Sequence, residues 1–144
     1  MSGQRTGRVL ACAVALMAVF VAREVHVALT SSITSDEPVH LAGGLSYLMR
    51  GDYSVNYEHP PLAKLASGLF ALALRPSIPP RLNDDDLDTV QWDMANRLCW
   101  DNRERLDALL FAGRLPVILM GVLLLFLVWR WATALYGEQA GLFA

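Results

Sequence analysis

Three polar groups stand close to the apolar parts of this sequence, and their side chains are of kinds that can do chemistry. A carboxylate pair, a carboxylate–imidazole pair and a guanidinium can together hold a phosphate, a divalent ion and an acceptor hydroxyl. The candidate site residues are therefore Asp36, Glu37, Glu58, His59 and Arg114.

Each group also has a plain structural explanation. Acids in the first turn of a helix stabilise its dipole by about 0.3–1 kcal/mol each, so Asp36 and Glu37 can serve as capping residues. Glu58 and His59 can form a polar loop before a helix that starts at a proline. Arg114 can be an anchor at a membrane interface. Spacing alone leaves both interpretations open for all three groups.

The composition indicates a membrane protein. Of 144 residues, 54% are apolar, and the mean hydropathy is +0.34. The apolar excess is concentrated in two blocks, which is typical of spanning helices. With 12 basic and 14 acidic residues, the chain has no polycationic surface for nucleic acid. We expect an all-α, multi-pass transmembrane fold with two full spans and the start of a third.

The first apolar block predicts a span over residues 9–29, after a cytoplasmic N-terminus at 1–8. Its uncharged part, 9–22, is short for a span, so it must continue past Arg23 and Glu24. These charges are costly in lipid and must pair, snorkel or face other helices. A cleaved signal peptide is the alternative, but bulky Phe20 stands where cleavage after Ala22 needs a small residue.

The second apolar block predicts a span over residues 114–136. Pro116 is expected in its first turn, where a missing N–H does least harm. Aromatic residues at its end resemble an interfacial belt. Residues 137–144 are expected to form a cytoplasmic turn and the start of a third span.

The segment 30–113 between the spans is expected to lie outside the cytoplasm. The basic residues on the short flanks of the other side are Arg5, Arg8 and Arg130, and positive flanks favour the cytoplasm. Apolar periodicity predicts two amphipathic interfacial helices in this segment, at about 36–50 and 60–74.

An acidic run at 83–88 partly matches a calcium-binding loop. The match fails because Thr89 stands where glycine is needed and Ala95 where the bidentate glutamate belongs. The run is therefore interpreted as a solvated turn.

The order of these features resembles the N-terminal region of the GT-C glycosyltransferases. The closer likeness is to the protein O-mannosyltransferases and the bacterial aminoarabinose transferases of lipid A. The resembling features follow the first span, cover most of the chain and run in the order Ser35-Asp36-Glu37, Gly51-Asp52-Tyr53, Tyr57-Glu58-His59-Pro60-Pro61-Leu62-Ala63-Lys64, Arg114-Leu115-Pro116 and Leu135-Tyr136-Gly137.

The resemblance implies transfer of a sugar from a polyprenyl-phosphate donor to a protein, lipid or glycan acceptor at the outer face of the cell membrane. It makes Asp36 the general base or acceptor-orienting carboxylate, with Glu37 beside it as a second catalytic residue. Glu58 matches a metal ligand of the aminoarabinose branch, which makes a divalent metal ion a candidate cofactor. His59 and Arg114 would bind the lipid phosphate, although His59 stands where that branch has lysine.

The chain also departs from this family, whose members have many more spans and further site residues beyond the third. We therefore expect a fragment that is inactive alone. The alternative is a small non-catalytic membrane subunit that packs against a larger transporter or assembly complex.

Overall fold

The computed structural model describes the backbone of residues 2–144 and the side chains from Thr6 onward. The side chain of Arg5, which supports the predicted orientation, lies outside the described residues. The helices are α1 (Ser2–Thr30), α2 (Glu37–Arg50), α3 (Pro61–Leu72), α4 (Leu87–Asp101), α5 (Leu106–Tyr136) and α6 (Glu138–Phe143), with a 3₁₀ turn at Arg103–Arg105. Residues 2–144 contain no strand, and the all-α prediction is confirmed.

Two helical stretches are long and apolar enough to cross a membrane. They are Thr6–Thr30, with 25 residues, and Arg103–Tyr136, with 34. Only 6% and 11% of the most apolar 18-residue window of each stretch is buried inside the protein, so most side chains in these windows face outward. Within α1 the Arg23 guanidinium pairs with the Glu24 carboxylate at 3.6 Å.

The chain forms two compact units. The first contains residues 1–28 and 118–144. Here α1 and α5 touch at Gly121, where an added Cβ would lie 3.1 Å from Cζ of Phe20. The hydroxyl of Thr6 donates to the Glu138 carboxylate at 2.7 Å.

The second unit, Leu29–Val117, contains α2, α3, α4 and the first part of α5. It is built around one apolar core to which each of these helices contributes. The core residues are Leu41, Ala42, Leu45, Val55, Ala71, Val90, Met94, Leu98, Leu109 and Leu110.

Helix α2 has clear start and stop signals. Pro38 stands in its first turn, and Gly51 ends it in the left-handed conformation (φ 66°), with its N–H bonded to the carbonyl of Tyr47 at 3.1 Å. The observed bounds, Glu37–Arg50, lie close to the predicted 36–50.

Helices α2 and α3 approach so closely that glycine is required at their contact. A Cβ on Gly68 would lie 2.7 Å from the carbonyl carbon of Gly44, and a Cβ on Gly44 would overlap the carbonyl group of Lys64. Helix α3 turns its small residues and Lys64 inward, whereas Leu62 and Leu69 are 72% and 59% exposed.

Helix α4 is a third helix between the two apolar stretches, where two were expected. Asp86, from the acidic run, caps it by accepting from the Asp88 N–H at 3.2 Å and the Thr89 hydroxyl at 2.6 Å. The interpretation of this run as a solvated turn therefore missed its capping role.

Helix α5 begins eight residues before the predicted span, at Leu106 rather than Arg114. Its first turns bury Leu109 and Leu110 in the core of the second unit. Because this packing stabilises the helix there, α5 starts before the apolar block does. The expectation that Pro116 lies in the first turn is consequently wrong, because Pro116 is inside the helix.

Candidate functional site

Asp36 immediately precedes α2, yet its side chain does not cap that helix. Its carboxylate accepts from the Thr34 hydroxyl at 3.2 Å and lies 3.7 Å from Nε2 of His40. Among the described residues, no α2 backbone N–H donates to this carboxylate. The side chain is 68% exposed. Asp36 thus presents an accessible carboxylate oxygen beside an imidazole, and its interaction with the start of α2 is limited to the helix dipole.

Glu37 points to a different partner from its neighbour. Its two carboxylate oxygens accept from Nε and Nη2 of Arg114 at 2.6 and 2.7 Å. The same guanidinium donates to the backbone carbonyls of Ser31 and Ser32 at 3.2 and 3.4 Å. Arg114 therefore ties the start of α2, and the turn before it, to α5 by a two-pronged ion pair.

His40 joins the two predicted motifs. It lies one turn after Asp36 on α2, and its ring meets the ring of His59 edge-on, with centroids 4.9 Å apart. Its Nδ1 lies 2.9 Å from Oδ1 of Asn56, and its side chain is 33% exposed. The carboxylate of the first motif and the imidazole of the second thus both contact His40.

Asn56 lies beneath His40 and is nearly buried, at 5% exposure. Its backbone is in the left-handed region (φ 55°), which asparagine adopts more readily than most residues. Its amide Nδ2 donates to Oε1 of Gln91 on α4 at 2.9 Å. This contact links the His40 side chain to a third helix.

Lys64 is buried, at 3% exposure, under the same asparagine. Its ammonium donates to Oη of Tyr47 at 2.8 Å, to Oδ1 of Asn56 at 3.2 Å and to the backbone carbonyl of Asn56. Its three donors are therefore satisfied by neutral oxygens. Burial lowers the pKa of Lys64, because a charged ammonium is less well solvated inside the protein.

Tyr47 completes the network below Lys64. Its hydroxyl donates to the Val55 carbonyl at 2.7 Å. Burial raises the pKa of Tyr47, and the nearby charges of Asp52 and Tyr53 raise it further. The phenol therefore stays protonated at neutral pH and can both accept from Lys64 and donate to the backbone.

Glu58 and His59 are exposed at the end of the loop before α3. Across residues 2–144, no group of three or more His, Cys, Asp or Glu side chains is arranged to hold a metal ion. Glu58 supplies one carboxylate, and the described side chains do not complete a metal site around it.

Sequence reasoning missed the residues that connect the site, namely His40, Asn56 and Gln91. A signal existed for His40, because a histidine four residues after Asp36 falls on the same helix face. Asn56 and Gln91 are brought together only by tertiary packing, and 35 residues separate them in the chain.

In comparisons with known proteins, no family model, curated protein or solved structure matches this chain.

Proposed function

We propose that this chain is the N-terminal part of a membrane glycosyltransferase that moves a sugar from a polyprenyl-phosphate donor to an acceptor outside the cytoplasm. The observation that carries the proposal is the environment of Asp36. Its carboxylate is exposed, makes no cap bond to α2 within the described residues, and faces His40, whose ring contacts His59 from the second motif.

The proposed reaction is an inverting displacement with Asp36 as general base. An acceptor hydroxyl binds at Asp36, and its oxygen attacks the anomeric carbon of the donor sugar. As that C–O bond forms, the bond to the polyprenyl phosphate breaks, and the phosphate oxygen takes the electron pair. The hydroxyl proton passes to the Asp36 carboxylate.

The other candidate residues take supporting roles in this proposal. His59 is exposed beside His40, where it can meet the phosphate of the lipid donor. Arg114 is already paired with Glu37, so its first role is to hold the opening of α2 that carries Asp36. Glu37 balances the charge of Arg114, so this positioning role takes precedence over binding of the lipid phosphate.

A multi-pass membrane arrangement is part of the proposal. Continuous helix through Arg23 and Glu24 gives α1 a length of 29 residues, which is enough to span the hydrocarbon layer. The exposed leucines of α3 suit contact with a lipid surface. The basic flanks favour residues 30–113 on the outer side.

The test is a sugar-transfer assay on the full-length product of the reading frame that encodes this chain. Membranes carrying the wild-type protein should transfer sugar from a polyprenyl-phosphate donor. Asp36→Asn should lower the rate by about 10²–10⁴-fold, the contribution of a positioned general base. Asp85→Asn, at an exposed acid near α4, is the matched control and should keep the wild-type rate.

Full activity of Asp36→Asn would remove the catalytic assignment. The alternative, a non-catalytic subunit, predicts that the wild-type membranes transfer no sugar and that alanine is tolerated at both Asp36 and Glu58.

A further inference from the structure

The hydrogen bonds beneath His40 have a fixed direction that begins at Asp88. A carboxylate accepts only, so the Gln91 atom at 2.7 Å from Oδ1 of Asp88 must be the donating amide nitrogen. The other end of the Gln91 amide is then an oxygen, which accepts from Nδ2 of Asn56. The Asn56 oxygen therefore faces His40.

Lys64 fixes the same direction independently. An ammonium donates only, so the Asn56 side-chain atom 3.2 Å from Nζ must be the oxygen. This is the atom that lies 2.9 Å from Nδ1 of His40. Because an amide oxygen cannot donate, the proton of this bond must reside on Nδ1 of His40.

A neutral imidazole carries one proton, so Nε2 of His40 keeps a lone pair. That atom lies 3.7 Å from the Asp36 carboxylate, too far for a direct hydrogen bond and close enough to share a proton brought by a bound hydroxyl. The side chain is also partly exposed, which gives Nε2 access to solvent. The other titratable groups near this ring are Lys64, behind Asn56, and His59, at its edge.

We infer that His40 is a proton-relay residue for Asp36, held by Asn56 as the Nδ1–H tautomer so that its Nε2 lone pair faces the catalytic carboxylate. This inference rests on the proposed function. The acceptor hydroxyl gives its proton to Asp36 as the glycosidic bond forms. Asp36 then passes a proton to Nε2 through one water molecule that hydrogen-bonds to both groups, because the two atoms are 3.7 Å apart. The resulting imidazolium keeps its Nδ1–H bond to Asn56 and releases the Nε2 proton to water, which restores both groups for the next turnover.

The tautomer is measured by ¹⁵N NMR of the 144-residue chain, labelled at its three histidines and held in lipid nanodiscs. The signals are assigned with His26→Asn and His59→Asn variants. We expect neutral His40 to show a protonated Nδ1 and an unprotonated Nε2. A protonated Nε2 on the neutral wild-type ring would overturn the inference.

Two substitutions at Asn56 form a matched pair for the same spectrum, because glycine and aspartate both tolerate its left-handed backbone. Asn56→Asp keeps an acceptor for Nδ1 and should preserve the wild-type tautomer. Asn56→Gly removes the acceptor, and the His40 signals should shift toward a mixture containing the Nε2–H form. If His40 shows the same tautomer in Asn56→Gly as in the wild-type protein, Asn56 does not determine that tautomer.

The relay itself is tested by His40→Asn in the full reading frame. The asparagine amide can still donate to Asn56, but it lacks a nitrogen lone pair that can take a proton. We expect kcat to fall by about 10²-fold or more while KM for the lipid donor stays within about threefold. His26→Asn, in α1, should keep the wild-type kcat.

The outcomes separate the two proposals. If Asp36→Asn loses activity and His40→Asn keeps the wild-type kcat, the relay is overturned and the proposed function stands. If the wild-type protein transfers no sugar, the proposed function fails, and the tautomer spectrum still decides whether Asn56 orients His40.

Discussion

The guanidinium of Arg114 and the carboxylate of Glu37 form a two-pronged ion pair across 77 positions of the chain, with N–O distances of 2.6 and 2.7 Å. Their side chains are 18% and 22% exposed, so water screens the pair only partly. The pair fixes the position at which α2 begins and hence the backbone that carries Asp36. Arg114, which the sequence suggested as a phosphate ligand, thus has a structural role.

Replacing this arginine tests that structural role. Arg114→Lys keeps the charge but loses the forked geometry, so the free energy of unfolding should fall by about 1–3 kcal/mol. Urea unfolding in detergent micelles, followed by the fluorescence of Trp92 and Trp100 in α4, measures it. The control is Arg97→Lys at the more exposed pair with Asp93, where a change within about 0.5 kcal/mol is expected. Equal losses of unfolding free energy in Arg114→Lys and Arg97→Lys would contradict the structural role of Arg114.

The Asp52 carboxyl should make the free energy of unfolding depend on pH in the acidic range. Burial alone would raise its pKa, but hydrogen bonds from Ser54 at 2.6 and 3.0 Å, with the charge of Arg81 at 3.4 Å, bring the pKa below its usual value. A carboxyl with a lowered folded-state pKa contributes stability above the unfolded pKa of about 3.9, and loses it as the pH falls through the folded value.

The measurement compares unfolding free energies of the wild-type protein and Asp52→Asn between pH 7 and pH 2. The wild-type protein should be the more stable of the two at pH 7. The difference between them should shrink as the pH drops below about 4. A difference that stays constant over this range would show that Asp52 does not have a lowered pKa in the folded protein.

The glycine at the α2–α3 contact should not tolerate a methyl group. A Cβ at Gly44 would overlap the backbone carbonyl of Lys64, which cannot rotate away as a flexible side chain could. Gly44→Ala should therefore lower the unfolding free energy by about 1–3 kcal/mol. Gly7→Ala, in an open position of α1, should be neutral or stabilising by up to about 1 kcal/mol. Comparable losses for both variants would contradict the close helix approach.

Much of the helix framework could be predicted because its signals are local. The two long apolar blocks, the proline near the start of α2 and the glycine that ends it all act over a few neighbouring residues. Helix α4 was missed because its sequence is polar overall. Its buried residues Val90, Met94 and Leu98 nevertheless recur every four positions, which is a helical period.

The candidate site could be predicted only in part. Asp36 and His59 were identified from their motifs, but the imidazole that joins them was not. In the sequence, Lys64 was named only as the last residue of a resembling motif, whereas the fold buries it under Asn56. The position of Asn56 in turn depends on its left-handed backbone and on its hydrogen bond to Gln91 in α4. Neither feature leaves a periodic pattern in the sequence.

The side of the membrane on which residues 30–113 lie is tested most directly by cysteine labelling in intact cells. In a background of Cys12→Ala and Cys99→Ala, single cysteines are placed by Asp85→Cys and Gln139→Cys in the full reading frame. A membrane-impermeant maleimide should label the first position without permeabilisation and the second only after it. Labelling of the Asp85→Cys protein only after permeabilisation would place Asp36 in the cytoplasm and contradict transfer at the outer face.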